Sequence, residues 1–501
     1  MSDLISNLAL GFSVALTAAN LGLAFTGCLI GTLVGVLPGL GPLATLAMLL
    51  PLTFTLDPTG ALIMLAGIYY GAQYGGSTTA ILVNMPGEAS SVVTCLDGHQ
   101  LALQGRAGTA LAVAALGSFF AGTVATLVIA LLAPPLTALG RTFGPPEYFS
   151  LMVLGLVAAV TLAQGSVLKA VAMIVLGLVL GLVGTDVNSG LPRFTFGIPQ
   201  LGDGIGFVPV AMGVFGLAEI IANLGRPDSS RSLLVEKITR LYPTRAEMRQ
   251  AAPAILRGTG IGSILGVLPG GGALLSSFAA YMFEKKIARD PSRFGRGALE
   301  GVAAAESANN AGSQTSFIPM LTLGIPPNPV LALMMGTMMI HGIQPGPGVM
   351  RERPDLFWGL IASMWIGNVM LVVINLPLIG IWVRLLRVPY ALLFPAILLF
   401  CGIGVYSLNN SPFEVFLAAL FGVVGYCFVK LGCEVTPMLL AFILGPMMEE
   451  NLRRAMLLSR GDPGVFLARP ISLVLLVASV LLLALVALPQ LRQTRDAAFQ
   501  E

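Results

Sequence analysis

Long apolar segments separated by short polar connections run along almost the whole chain. Residues 4–56 contain no charged side chain, and the first basic residue is Arg106. Because one membrane span takes about 20 residues, we predict a helix up to Pro38, a break at Pro38-Gly39 and a return helix toward Asp57. Further apolar spans are predicted at 107–140, 148–168, 170–185, 204–218, 356–383, 388–413, 415–429, 435–448 and 470–491.

The composition places these segments in a lipid bilayer. Of the 501 residues, 56% are hydrophobic and 10% are charged, whereas soluble domains carry about 25% charged residues. The 60 glycines and 33 prolines agree, since both types are commoner in membrane helices than in soluble ones. No basic run with interleaved aromatic residues indicates nucleic acid. We therefore predict an all-α polytopic membrane protein of about twelve transmembrane helices.

One motif occurs twice, as GTLVGVLPGLG at 31–41 and as GSILGVLPGGG at 262–272. Proline deletes a backbone donor and glycine weakens the turn, so a Pro-Gly pair interrupts a helix. In a bilayer the freed backbone groups are tolerated only where protein or a water-filled cavity receives them. Matching breaks in two halves of a chain indicate the binding site of a transporter. The alternative interpretation is a pair of ordinary turns between short helices.

Basic residues concentrate in 226–257 and 284–296, on either side of the second motif. By the positive-inside bias both segments are predicted to be cytoplasmic. The residues between them are too few for two full spans, so a re-entrant hairpin at 258–283 fits better. The first motif lacks basic flanks, which favours two pseudo-symmetric, inverted repeats with re-entrant or broken helices. The predicted divisions are a first repeat at 1–225, a basic connection at 226–257, a second repeat at 258–491 and a polar tail at 492–501.

A second polar cluster also occurs in both halves. Gly76-Ser77-Thr78-Thr79 precedes a break at 84–87, and Gly312-Ser313-Gln314-Thr315 precedes a break at 324–327. Bare N–H groups and the positive end of a broken helix attract a carboxylate without any buried Lys or Arg. The predicted substrate-binding residues are Pro38, Gly39, Gly41, Pro269, Gly270, Gly272, Ser77, Thr78 and Asn84.

The same clusters offer oxygen atoms that suit a small hard cation such as Na⁺. The predicted cation-binding residues are Ser77, Thr79, Asn309, Asn310, Ser313 and Thr315. Glu306 is the candidate for an intramembrane carboxylate that couples transport to Na⁺ or H⁺, since an ionisable group inside a membrane indicates function. Two alternatives stay open. The small residues only permit close helix packing, or Glu306 only caps a helix near the cytoplasmic surface.

Enzymatic interpretations find little support in the sequence. The HExxH motif and the G-x-x-x-x-G-K-[ST] phosphate loop are both absent. The two histidines, His99 and His341, have glycine or proline nearby, which is typical of loop or surface positions, and the five cysteines lack metal-ligand spacing. We predict neither an enzyme nor a cofactor or transition-metal site. The competing class is a passive channel or a structural membrane subunit whose broken helices only pack.

Taken together, these stretches resemble the large membrane subunit of the bacterial tripartite tricarboxylate transporters. The matching sequences are GTLVGVLPGLGP, YYGAQYGGSTTAILVNMPGE, DGHQLALQGRAG, RFTFGIPQLGDGIGFVPVAMGVFGLAE, GVLPGGGALLSSF, ESANNAGSQTSFIPMLTLGIP and MMIHGIQPGPG. They extend over nearly the whole chain. Two positions depart from the family pattern: Ala305 stands before Glu306 in place of proline, and Pro327 follows Pro326 in place of glycine.

The resemblance implies a permease of about twelve spans in the bacterial inner membrane. Such a permease would work with a small four-span membrane subunit and a periplasmic solute-binding protein. We therefore expect a secondary transporter that imports a di- or tricarboxylate by symport with Na⁺ or H⁺. The binding protein is a separate chain, so this sequence does not name the carboxylate.

Overall fold

The computed structural model describes residues 2–37, 42–140, 142–162, 166–186, 189–224, 240–268, 272–385 and 390–487. In this part of the chain the protein is nearly all-α. The exception is a short hairpin in which β1 (Gly184–Thr185) pairs antiparallel with β2 (Pro192–Arg193). The helices long and apolar enough to cross a membrane are Ala18–Val36, Ala107–Gly140, Pro354–Asn375 and Pro412–Lys430. Shorter apolar helices accompany these four, as in a membrane protein with broken helices.

The α-helices of the first half are α1 (Ser2–Ala15), α2 (Ala18–Val36), α3 (Pro42–Thr53), α4 (Pro58–Val83), α5 (Val92–Thr94), α6 (Gln100–Leu103), α7 (Ala107–Gly140), α8 (Pro145–Leu162), α9 (Val167–Gly181), α10 (Phe207–Ala211) and α11 (Ala218–Leu224). Those of the second half are α12 (Arg245–Leu265), α13 (Gly272–Ile287), α14 (Leu299–Thr315), α15 (Phe317–Leu323), α16 (Pro329–Ile340), α17 (Val349–Glu352), α18 (Pro354–Asn375), α19 (Ile379–Leu385), α20 (Tyr390–Asn409), α21 (Pro412–Lys430), α22 (Thr436–Leu458), α23 (Val465–Ala468) and α24 (Pro470–Ala487). Further turns are 3-10 at Ala89–Ser91, Pro199–Leu201 and Pro291–Arg293, and π-helical at Cys95–His99 and Met212–Leu217.

The helices end and begin on either side of the Pro-Gly pair in each repeated motif. α2 ends at Val36 and α3 begins at Pro42, while α12 ends at Leu265 and α13 begins at Gly272. The predicted span at 107–140 is one helix, α7. The predicted span at 435–448 is shorter than α22, whose polar second part continues to Leu458. α12 begins inside the segment assigned to the basic connection, because a capping box formed by Thr244 and Glu247 starts it there.

Glycines let α2 approach α4 closely. A Cβ atom on Gly27, Gly31 or Gly35 would lie 2.2, 2.3 or 2.5 Å from a backbone oxygen of α4. These three residues follow each other at intervals of one helical turn, so they form one face of α2. Small residues at this spacing are the usual means by which membrane helices pack backbone to backbone.

The second half repeats this contact. A Cβ on Gly258 or Gly262 of α12 would lie 2.5 or 2.4 Å from the backbone oxygen of Ala304 or Ala308 in α14. Gly27, Gly31 and Gly35 of α2 are each the same number of residues away from Gly258, Gly262 and Gly266, respectively. Their partners in α4 also correspond at one constant separation along the chain: Met64, Ile68 and Ala72 match Ala304, Ala308 and Gly312. The pairing of α12 with α14 therefore follows that of α2 with α4.

The breaks that follow these helices also correspond. The residue that caps the end of each helix is left-handed: Asn84 after α4 has φ 56°, and Gly324 after α15 has φ 73°. Four residues later, Glu88 (φ −150°, ψ 166°) and Asn328 (φ −151°, ψ 165°) each start the next helical turn. Asn328 Oδ1 accepts a hydrogen bond from the N–H of Leu331 at 3.0 Å, and the N–H of Glu88 donates to Ser91 Oγ at 3.3 Å within a capping box. Glu88 and Asn328 are thus equivalent capping residues.

α7 has 34 residues and, at about 1.5 Å per residue, joins two distant ends of the molecule. At the basic end, Arg106 just before α7 forms an ion pair with Glu247 at 2.9 Å, and Arg257 pairs with Glu284 at 2.5 Å. Hydrogen bonding to Thr244 lowers the pKa of the Glu247 carboxyl to about 2. At the far end, Gly140 at the end of α7 packs against Pro347.

The positions of the histidines differ in part from the prediction of loop or surface sites. His99 is 7% exposed and lies in a helical turn, where its Nδ1 is 3.1 Å from the carbonyl oxygen of Ile81. The prediction is therefore wrong for His99, because the glycine beside it permits a π-helical turn that packs onto α4. His341 follows α16 and is half-buried, with Nε2 3.2 Å from the carbonyl oxygen of Thr53 at the far end.

Candidate functional site

Glu306 lies in the middle of α14 and its side chain is completely buried. Ser77 of α4 donates a hydrogen bond to its Oε2 at 2.5 Å, and Thr94 of α5 donates one to its Oε1. Within the described residues no Lys or Arg pairs with it. The placement excludes a role as a cap at the start of a helix. A buried carboxylate without a basic partner must take up a proton or lie near another cation.

Both hydroxyls reach Glu306 because of local helix geometry. α4 has no charged residue, begins with a cap from Asp57 and a proline, and is buried along almost its whole length. Ser77 can therefore face α14 in the protein interior. Thr94 comes from the helical turns that follow Glu88, so the break after α4 returns the chain to the same carboxylate.

Glu88, Ser90 and Asn309 form a second polar group beside Glu306. Asn309 Nδ2 donates to Glu88 Oε1 at 3.0 Å, and Ser90 Oγ donates to Asn309 Oδ1 at 2.8 Å. Ser90 Oγ also contacts Glu88 and lies 3.2 Å from Gln73 Oε1. The one hydroxyl proton serves only one of these acceptors at a time, so the group has several hydrogen-bond arrangements.

The contact between Asn309 and Glu88 has a counterpart. Asn328 Nδ2 donates to the hydroxyl of Tyr69 at 3.5 Å. Glu88 and Asn328 are as far apart in the sequence as Tyr69 and Asn309, so the two contacts join equivalent pairs of residues. Each capping residue therefore contacts a long helix of the other half, and the two contacts cross between the halves.

Asn310 extends the network to α7. Its Nδ2 donates to Ser118 Oγ at 2.7 Å and to the Glu306 carbonyl oxygen at 3.2 Å. Ser118 lies among alanines and glycines of α7, and a Cβ on neighbouring Gly117 would lie 2.8 Å from Ser307 Oγ. α7 therefore approaches α14 closely enough for its hydroxyl to take part in the site.

Four other predicted hydroxyls bond to backbone carbonyls. Thr79 donates to Gly35 O at 2.9 Å, and Thr315 lies 3.0 Å from Ala311 O. Ser313 and Thr78 donate to Asn309 O and Tyr74 O at 2.9 and 3.4 Å. Bonds of this kind keep hydroxyls inside apolar helices. Among the described residues, hydrogen bonds join Ser77, Asn309 and Asn310 to the Glu306 region, whereas the hydrogen bonds of Thr79 and Thr315 go to backbone carbonyls elsewhere.

The contacts also set the correspondence between the two polar clusters. In the packed helices Gly312 occupies the place that Ala72 has in the first half. Alignment of the two Gly-Ser motifs by sequence had instead matched Gly312 with Gly76. The repeated Gly-Ser motif is therefore displaced by one helical turn between the halves. Thr79 and Ser316 instead take similar places, since they donate to the carbonyl oxygens of Gly35 and Gly266 at 2.9 and 2.8 Å.

The predicted substrate residues lie close to the breaks. Gly272 has φ +40°, and a Cβ there would lie 3.5 Å from Asn328 Nδ2 and 3.7 Å from Ser316 Oγ. Asn84 is exposed at the left-handed end of α4. The remaining predicted residues lie outside the described part of the chain: Pro38, Gly39, Gly41, Pro269 and Gly270.

Sequence reasoning missed Glu88, Ser90, Thr94 and Ser118 as members of the site. Glu88 had a signal, because it is an acidic residue directly after a Pro-Gly break in an otherwise uncharged segment. Ser118 and Thr94 had none, since a single hydroxyl in an apolar helix usually only packs. No group of three or more His, Cys, Asp or Glu side chains suited to a metal occurs among the described residues.

A buried carboxylate and an amide network between two pairs of glycine-packed helices are features of a membrane transporter. Comparison with known proteins gives the family. A model of the tripartite tricarboxylate transporter TctA family matches residues 21–440. The chain belongs to this family, which confirms the resemblance found in its motifs.

Two relatives come from Agrobacterium vitis. The chain is 57% identical over 501 residues, all of both proteins, to an uncharacterized 52.8 kDa protein in the TAR-I ttuC' 3'region. It is 56% identical over 240 residues to an uncharacterized protein in the TAR-II ttuC' 3'region, which covers 48% of this chain and 99% of that protein. No solved structure matches the chain.

Proposed function

We propose that this chain is the permease of a cation-coupled secondary transporter that imports an organic di- or tricarboxylate. It lies in the bacterial inner membrane and works with a small four-span membrane subunit and a periplasmic solute-binding protein. Membership of a tricarboxylate transporter family supports the substrate class. The observation that carries the coupling is Glu306, which is completely buried and has two hydroxyl donors.

Two inverted repeats are part of this proposal. The paired glycine interfaces of α2 with α4 and of α12 with α14 support the repeat. The opposite orientation of the two repeats is supported by where two helix pairs, α2 with α3 and α12 with α13, have their open ends. Thr53, at the end of α3, contacts His341 at the far end, whereas Arg257 and Glu284 of α12 and α13 pair at the basic end. We infer that the basic end is cytoplasmic, since the sequence segments around Arg257 and Glu284, 226–257 and 284–296, hold 12 of the 27 lysines and arginines.

The substrate carboxylates are proposed to bind at the helix breaks. Bare N–H groups at the start of α13 face a region that also holds Ser316 and Asn328. The positive end of a helix favours an anion by about 0.3–1 kcal/mol, and more when it is partly buried. Such a site needs no buried Lys or Arg, and none pairs with the Glu306 network in the described chain.

Uptake measurements test the function. Cells that express the chain with its two partner subunits are converted to vesicles, loaded with binding protein, and offered labelled carboxylates under an imposed Na⁺ or pH gradient. We expect saturable uptake that requires the binding protein and follows one of the gradients. Uptake that is linear in substrate and indifferent to both gradients would indicate a passive channel or a structural subunit instead.

A further inference from the structure

A small cavity lies where α4, α7 and α18 meet, next to the Glu306 network. Its volume is about 20 Å³, enough for one water molecule or one dehydrated ion. Five side chains with oxygen atoms line it: Tyr74, Ser77, Thr78, Ser118 and Asn375. The Thr78 hydroxyl already donates to the carbonyl oxygen of Tyr74 at 3.4 Å. Apolar side chains, among them Leu111, complete the wall.

Two of these lining residues carry oxygen atoms without a partner among the described residues. They are the hydroxyl of Tyr74 and Oδ1 of Asn375, and both residues are 4% exposed. Asn375 is oriented by its amide, because Nδ2 donates to Leu371 O at 2.9 Å and to Thr32 Oγ1 at 3.3 Å. Its Oδ1 is thus an acceptor. Buried polar atoms are almost always satisfied, so two unsatisfied oxygens at one cavity point to a ligand that supplies the missing contacts.

The cavity is electrostatically suited to a positive charge. Ser77 Oγ donates its proton to Glu306 Oε2 at 2.5 Å, which leaves its lone pairs for another partner. Ser118 Oγ accepts from Asn310 and retains a second lone pair. The site therefore combines neutral oxygen donors with one carboxylate behind Ser77. One carboxylate balances one monovalent charge, and oxygen donors are the ligands that hard cations prefer.

We propose that this cavity, the Tyr74–Asn375 cavity, binds one dehydrated Na⁺ that neutralises Glu306 through Ser77. Tyr74, Ser77, Ser118 and Asn375 supply its oxygen ligands. The inference rests on the proposed cation-coupled transport and names the place of the coupling ion. Of the cation ligands predicted from the sequence, only Ser77 belongs to this cavity. Protonation of Glu306 alone would leave the two unpartnered oxygens without a function.

Binding of Na⁺ to the purified full-length protein tests the proposal without any transport assay. A ligand that binds only the folded state stabilises it by RT ln(1 + c/Kd), where c is the free ligand concentration, so the melting temperature rises with the logarithm of that concentration once it exceeds Kd. The melting temperature is measured in detergent at constant ionic strength while NaCl replaces choline chloride, and again while KCl replaces it. We expect the melting temperature to rise logarithmically with NaCl above a concentration that gives Kd, and to rise much less with KCl.

Matched variants locate the ion. Tyr74→Phe and Asn375→Ala each remove one proposed ligand and are expected to raise the Na⁺ dissociation constant obtained from this dependence about tenfold or more, equivalent to about 1.4 kcal/mol. Tyr70→Phe removes an unpartnered buried hydroxyl one helical turn earlier on α4, and Asn368→Ala removes a buried amide two turns earlier on α18. Neither residue lines the cavity, so both controls are expected to keep the wild-type Na⁺ dependence.

The outcomes separate this inference from the proposed function. Uptake that depends on Na⁺, together with wild-type Na⁺ affinity in Tyr74→Phe and Asn375→Ala, would leave the function standing and overturn the site. Saturable Na⁺ binding that these variants weaken would support the site even if uptake followed no Na⁺ gradient. No rise of the melting temperature when NaCl replaces choline chloride, an equal rise with KCl, or an equal loss of Na⁺ affinity in the control variants would overturn the site.

Discussion

Asn309 donates a hydrogen bond to the carboxylate of Glu88 at 3.0 Å and so joins a break in the first half to a helix of the second. Asn328 and Tyr69 make the equivalent contact in the opposite direction. Each capping residue bonds to a long helix of the other half. A shift of the chain at either break therefore also affects a helix of the opposite half. The acidic member of the pair, Glu88, lies beside Ser90, which also contacts Asn309.

The Glu88–Asn309 pair is expected to be energetically coupled. Glu88→Ala and Asn309→Ala each leave a polar partner behind, so the double variant should lose less stability than the two single losses together. Residues in direct contact typically show coupling of about 0.5–3 kcal/mol. Melting temperatures of the four proteins in a double-mutant cycle measure it. Ser292→Ala, which lies on an exposed turn at the basic end, replaces Asn309→Ala in a control cycle. Additive losses in the Glu88–Asn309 cycle would show that this contact contributes nothing.

Glu306→Gln is expected to abolish gradient-driven uptake while the protein still folds. Glutamine keeps the shape of the side chain, and the hydroxyls of Ser77 and Thr94 can accept from its amide as well as donate. The charge that the coupling cation requires is lost. Glu300→Gln is the matched control, because Glu300 lies in the first turn of the same helix and pairs with Arg293 at 3.2 Å. Wild-type dependence of uptake on the cation in Glu306→Gln would remove Glu306 from the coupling mechanism.

Gly272→Ala is expected to weaken substrate affinity several-fold, up to about tenfold. The space around Gly272 admits a methyl group, but its φ of +40° strains any residue with a Cβ and shifts the N–H groups that follow. Gly342→Ala is the control for this strain, since Gly342 has φ +72° with nothing within 4 Å and lies at the far end. The measurement is the substrate concentration at half-maximal uptake, compared between wild type, Gly272→Ala and Gly342→Ala. Equal effects of both substitutions would indicate general strain and not a substrate contact.

Arg257→Gln is a poor control for the glycine variants, although Arg257 lies near the second motif in the sequence. The structure pairs Arg257 with Glu284 through two hydrogen bonds at 2.5 and 2.9 Å, and Glu284 is 3% exposed. Removing the arginine leaves that carboxylate buried without its partner, which usually costs several kcal/mol. A loss of uptake in this variant would therefore report on folding.

The glycine interface between α12 and α14 is expected to contribute to stability. A Cβ on Gly262 would lie 2.4 Å from Ala308 O, so Gly262→Ala must push the helices apart at a cost of about 1–3 kcal/mol. Gly260→Ala on the same helix meets nothing within 4 Å and should be neutral or stabilising by about 0.5–1 kcal/mol. Melting temperatures of the two variants test this. Equal values would show that α12 and α14 are not packed as described.

The two ends of the molecule are expected to face opposite sides of the membrane. Ser292 is exposed at the basic end, and Ser189 is exposed in the hairpin between β1 and β2. In a background without the five native cysteines, Ser292→Cys should react with a thiol reagent only from the cytoplasm and Ser189→Cys only from the periplasm. Labelling of Ser292→Cys in intact spheroplasts by an impermeant reagent would contradict the inverted arrangement.

The sequence by itself determined the local features of this protein. The Pro-Gly motifs predicted where α2 and α12 end, because backbone donors and torsion angles are properties of the residues themselves. The uncharged segments predicted the apolar helices, and an acidic residue next to such a segment made Glu306 a candidate for function. The motifs also identified the family.

The tertiary structure decided which side chains meet. Ser77 and Thr94 are far from Glu306 in the chain, and Asn375 meets Tyr74 around a cavity that no spacing in the sequence indicates. The repeated Gly-Ser motifs differ by one helical turn in the packed helices, although their letters align. A shift of one turn preserves the face of a helix but changes the depth at which each side chain lies. Depth is set by the glycine contacts between α2 and α4 and between α12 and α14, which only the packed structure contains.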